Sequence, residues 1–193
     1  MRVLLLLLTL VAAEPALAQA PASIETELVK GRCRFIADDG EVGHYALKRC
    51  PGLNGIKVYT TAGVQRVSLS FGFGKAKPKE VVENSSIGLK LEWRGTGTKA
   101  AFKPYATIVQ VVVKDHEAEE KYNVLAVIRM EPRRACLMAV LDEAGNTNAR
   151  ALARATADAE APTFSCATGK PKIVGAPSYW AQAVIGFEGE QPR

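Results

Sequence analysis

ATIVQVVVKDHEAEEKYNVLAVIRMEPRRACLMAVL, residues 106–141, holds three apolar, β-branched runs separated by two charged turns, and the fold class follows from it. The first run, 106–114, ends at the acidic segment Asp115 to Glu120. The second, 121–130, ends at Glu131-Pro132-Arg133-Arg134, and the third is 135–141. Runs this short, rich in Val and Ile and bounded by turn residues, read as strands. Connections this short join antiparallel neighbours, so the three form an up-down-up meander.

Upstream the β pattern continues. Segments 29–36, 43–49, 56–61, 64–71 and 87–94 alternate apolar and polar residues or carry β-branched runs. Asp38-Asp39-Gly40 turns the first pair and Pro51-Gly52-Leu53-Asn54-Gly55 breaks the chain again. Ala62-Gly63 centres a second hairpin, with Val67, Leu69 and Phe71 on one face and Ser68 and Ser70 on the other. In 87–94, Leu89, Leu91 and Trp93 share a face. Segment 72–86, with Gly72, Gly74, Pro78 and the lysines Lys75, Lys77 and Lys79, is expected as a long loop. Gly95-Thr96-Gly97-Thr98 reads as a flexible connection.

Downstream the period changes once. Within 148–159, Ala149, Leu152, Ala153 and Thr156 recur at helical spacing, one apolar face of an α-helix. Asn146 or Thr147 is the expected cap, Arg154 and Asp158 the expected intrahelical pair, and Pro162 the stop. Beyond Gly169 a tail carries Tyr179, Trp180, Val184, Ile185 and Phe187, too much apolar area to remain in water, and is expected to dock on the sheet. The predicted fold class is α+β: a mostly antiparallel sheet, arranged as a meander or sandwich or partly closed barrel, with one helix in the C-terminal half and two disulfides.

Cys33, Cys50, Cys136 and Cys166 are the cysteines. Four allow three connectivities. Cys33 and Cys50 fall on neighbouring strands of one expected hairpin, and Cys166 follows the helix that folds back towards the strand of Cys136, so the expected bridges are Cys33–Cys50 and Cys136–Cys166. There is no C-x-x-C for a redox site, and the spacing with His44 and His116 is wrong for zinc.

Met1-Arg2, an apolar run from Val3 to Ala13 and Ala16-Leu17-Ala18 have the layout of a secretory signal cut after Ala18. The expected organisation is therefore a signal at 1–18 and one exported β-rich domain at 19–193, periplasmic or secreted. No later segment reads as a membrane span. The net charge of +5 on the whole chain suits solubility or an anionic envelope polymer. Basic and aromatic residues do not interleave as a single-strand nucleic-acid platform requires.

Catalytic signatures are absent: there is no G-x-S-x-G and no S-x-x-K. His44, near Asp38, Asp39 and Glu41, is a candidate base with an ordinary structural reading beside it. Phe71-Gly72-Phe73-Gly74-Lys75 and Arg94-Gly95-Thr96-Gly97-Thr98-Lys99 depart from a phosphate-loop pattern. No cofactor or metal is called for. Phe71, Phe73, Lys75, Trp93 and Arg94 mix aromatics with cations, the composition of binding hot spots, and are the candidate binding residues. The expected function is that of an exported, noncatalytic binding protein of the bacterial envelope, with a protein or an anionic polymer as partner. A secreted hydrolase using dispersed Asp or Glu, or a small-ligand carrier, are the alternatives.

Overall fold

A computed structural model describes residues 20–29, 31–38, 45–73, 78–115 and 117–186. The meander is its centre. Strands β8 (Lys103–Lys114), β9 (Lys121–Glu131) and β10 (Arg134–Asp142) pair antiparallel in sequence order. On the far side of β8 lies β7 (Ser86–Thr96), then β1 (Ala22–Glu27). On the far side of β10 a short parallel strand, β11 (Lys172–Ile173), completes a six-stranded sheet. The second sheet is a plain meander of five strands: β2 (Arg34–Asp38), β3 (Tyr45–Cys50), β4 (Lys57–Gly63), β5 (Val67–Gly72) and β6 (Lys79–Asn84).

The two sheets face each other across a core and do not close into a barrel. Val58, Leu69, Phe71 and Val82 of the five-stranded sheet meet Leu91, Trp93, Val109, Val111, Val124, Ala126 and Ile128 of the other. Trp93 has no exposed surface; its indole N–H donates to the Thr26 hydroxyl at 2.8 Å and its ring meets Phe71 edge to face. The opposite face of the six-stranded sheet, with Ile108, Leu125, Val127, Met138 and Leu141, is covered by helix α1 (Ala149–Glu160). Ala149, Ala153 and Ala157 form the buried stripe of α1, and methyl side chains let the helix lie close on the strands. Burial on both faces explains why Val124 to Ile128 reads as one unbroken apolar run.

Both bridges form as expected, Cys33–Cys50 and Cys136–Cys166. The tail docks through a helix, α2 (Tyr179–Ile185), which buries Ala181 and Val184 against the core between the sheets. Trp180 stacks on Tyr122. Among the described residues, no helix is long and apolar enough to cross a membrane.

Several expectations are corrected. The loop expected over 72–86 contains β6: a bulge at Val81 breaks the two-residue period, so the strand is invisible without its partner β5. The strand expected at 29–36 begins only at Arg34, because Arg32 and Cys33 turn back to the Val29 carbonyl; β1 lies further upstream. Leu89 does not join Leu91 and Trp93. Three residues, 88–90, stand opposite Gln110 alone, and this irregularity leaves Leu89 64% exposed. The N-cap of α1 is Asn148, without a side-chain cap bond. Asn146 instead donates to the Asp142 carbonyl and accepts from Ala176 N–H. Arg154 and Asp158 do not pair with each other, as described next. Residues 1–18, Asp39, Gly40, Glu41, His44, Gly74, Lys75, Lys77, His116 and Phe187 lie outside the described residues.

Candidate functional site

The candidate binding residues do not form one surface. Phe71 and Trp93 are core residues on the inner faces of their sheets, and Phe73 is half-buried against the same core. Arg94, one residue on from Trp93, points to the opposite face of the six-stranded sheet. Lys75 is outside the described residues. The aromatic members therefore serve packing, and the cation belongs to a different layer.

That layer is an ionic clamp between α1 and the β1–β7–β8 edge. Arg94 forks onto Asp158, with Nε at 2.9 Å from Oδ1 and Nη2 at 2.5 Å from Oδ2. Tyr105 donates its hydroxyl to the same carboxylate at 2.6 Å. Arg154 forks onto Glu92 at 2.7 and 3.2 Å. The Ser23 hydroxyl links the two halves, accepting from Arg94 and donating to Glu92. Sequence places Arg154 and Asp158 four apart, yet each finds a partner on β7 because that face of the helix lies on the sheet.

Burial by itself raises the carboxyls of Asp158 and Glu92. The hydrogen bonds and charges of Arg94, Arg154, Tyr105 and Ser23 outweigh it, and both are held below their ordinary values. Burial, then the hydrogen bond to Asp158, pushes the Tyr105 phenol well above its usual range. A general acid must hold its proton near neutral pH, and neither carboxyl does. The clamp positions a helix, and its carboxylates are not poised as general acids. Among the described residues, no group of three His, Cys, Asp or Glu side chains converges as a metal site would require.

Two surfaces remain. One is an open cleft of about 380 Å³ lined by Gln65, Ser85, Ser86, Val112, Lys114 and Lys121. Lys114 is paired with Glu119 at 3.6 Å, and the acidic turn 115–120 beside it offsets the lysines, so the cleft has no dominant charge.

The other is the outer end of the five-stranded sheet. β5 and β6 make this sheet's main contacts with the six-stranded one, while β2, β3 and β4 extend beyond them. Cys50 and Val58 are buried where β3 and β4 are anchored; Arg34 to Ala37 are exposed throughout, with Phe35 at 55% and Ile36 at 47%. Arg34 stands directly opposite Arg49, and Arg49 opposite Tyr59. Among the described residues, no side chain pairs with Arg34, Lys48, Arg49 or Lys57. Sequence reasoning missed this group, although a signal was present. The arginines flank the bridged cysteines, as Cys33-Arg34 and Arg49-Cys50, so pairing the cysteines brings the arginines together. No protein-family model, curated protein or solved structure matches this chain.

Proposed function

We propose that this chain is a noncatalytic binding domain that works outside the cytoplasm, periplasmic or secreted, and holds an anionic envelope polymer against strands β2–β4. One observation carries the reading: three cations, Arg34, Arg49 and Lys57, stand on the outer face of these strands without a paired carboxylate among the described residues, and Lys48 is likewise unpaired on the other face. Among the described residues, three nearby acids already have partners. Glu83 faces Arg66, Glu27 faces Arg32, and Glu80 accepts from Ser68. An uncompensated cationic surface attracts polyanions and concentrates them at low salt. Export is supported by the two disulfides, which persist in oxidising compartments, and by the apolar run and Ala16-Leu17-Ala18 at the start of the sequence.

Two measurements test the proposal together. The protein recovered from its native host is expected to have a mass beginning at Gln19 and to resist thiol alkylation without reductant. It is expected to bind anionic polysaccharide at low salt and to release it as salt rises. A retained leader, freely reacting thiols or no polymer binding at low salt would each refute it.

A further inference from the structure

The arginine pair permits a sharper assignment, which rests on the binding reading above. Val58 is fully buried between the sheets and lies opposite Cys50. Alternation therefore sends the neighbouring Arg49, with Tyr59 and Arg34 in the same cross-strand row, to the outer face. Tyr59 leans away from the arginines: a Cβ on Gly72 of β5 would lie 2.7 Å from its ring, so the ring covers that glycine and leaves the guanidiniums open. Like charges directly opposite each other weaken a ladder. Here the adjacent Cys33–Cys50 bridge, with Cα atoms 4.0 Å apart, closes the hairpin covalently beside them. The acidic residue on β2 is Asp38, four residues along the strand from Arg34. The bulge between Phe35 and Ala37 leaves Asp38 opposite Ala46, three residues from Arg49 on β3, so the separation along the ladder is about 10 Å, still beyond the screening length of about 8 Å at physiological salt.

We infer that Arg34 and Arg49 form a two-guanidinium fork that grips one phosphate group carried on the anionic polymer, and that the Cys33–Cys50 bridge holds the fork in place. The choice of phosphate follows from counting oxygens. A carboxylate has two, and one arginine fork occupies both, as Arg94 does on Asp158. A second arginine would then have to share those same two oxygens, as the Tyr105 hydroxyl shares Oδ1 of Asp158, with no oxygen of its own. A phosphomonoester presents three terminal oxygens and up to two charges, enough for both forks. Lysine would supply the charge without the fork.

The test compares the mature, oxidised protein on dextran phosphate and on carboxymethyl-dextran of matched charge density. The expected preference for the phosphate polymer is about tenfold. Arg34→Ala or Arg49→Ala should abolish that preference. Arg34→Lys with Arg49→Lys should keep salt-sensitive binding to both polymers and lose the preference, whereas Lys57→Ala should weaken both polymers alike. Cys33→Ser with Cys50→Ser, checked as folded by tryptophan fluorescence, should bind both polymers without preference. Equal binding of both polymers by the parent protein overturns the phosphate assignment while leaving the broader function standing. A preference that survives in both alanine variants overturns the fork, and one that survives loss of the bridge overturns the disulfide's role. Neither polymer binding at low salt, whatever envelope proteins are retained, overturns the inference and the function beneath it.

Discussion

Asp158→Asn removes one charge from the clamp under α1 and almost none of its volume. The Arg94 side chain is 10% exposed and that of Asp158 24%, so the guanidinium left behind keeps its charge where water hardly reaches. Removing one partner of a buried pair costs about 3–5 kcal/mol. Asp158 is a quarter exposed and Glu92 remains nearby to share the charge of Arg94, so about 2–3 kcal/mol is expected at neutral pH. In a domain of this size that lowers Tm by roughly 5–10 °C. Urea unfolding followed by the fluorescence of Trp93 and Trp180, with the disulfides intact, reads it directly.

The pH dependence has a definite sign. Asp158 and Glu92 titrate lower in the folded protein than in the unfolded chain. Their stabilisation is therefore full above the unfolded carboxyl value, about 4, and is lost as pH falls through the lower folded value. The gap between parent and Asp158→Asn should accordingly narrow below about pH 4 and shrink further towards pH 2. Replacing the pair together, Arg94→Met with Asp158→Leu, should recover much of the loss, since an apolar pair of similar volume leaves no charge unpaired. A variant within about 0.5 kcal/mol of the parent at neutral pH, or a gap unchanged from pH 7 to 2, would refute the reasoning.

Two further outcomes follow from the core. Trp93→Ala leaves a cavity beside Phe71 and strands the Thr26 hydroxyl; it should cost about 3–5 kcal/mol in denaturant unfolding, and a loss under 1 kcal/mol would mean the sheets do not pack around this ring. Cys136→Ser with Cys166→Ser opens a bridge of sequence separation 30 and should cost about 3–4 kcal/mol; an unchanged Tm in thermal unfolding would show that the segment after α1 is held without it.

How far the sequence reaches is clearest in the strands themselves. β8, β9 and β10 are legible because both of their faces are buried, so each is a dense apolar run between charged turns. β6 is not legible: Lys79-Glu80-Val81-Val82-Glu83-Asn84 loses its alternation at the bulge and is a strand through its hydrogen bonds to β5. β1 alternates in plain sight, with Ile24 inward and Ser23 and Glu25 outward, but an edge strand just after a leader-like segment is easily taken for linker. At the candidate sites, the arginines beside Cys33 and Cys50 were in view and their significance was not.

By itself, the sequence determined the strand-rich class, the helix after Asp142 and the two cysteine pairings, because each is recorded in local periodicity or in a short span of chain. The tertiary structure alone decided which face each residue occupies. One residue of slip reverses a strand's faces, and the irregularities at 88–90, Val81 and Met138 are set by partners distant in sequence. That is why Leu89 lies outside and Trp93 inside, why Arg94 clamps a helix instead of meeting a ligand, and why Arg34 and Arg49 come to stand side by side on an open face.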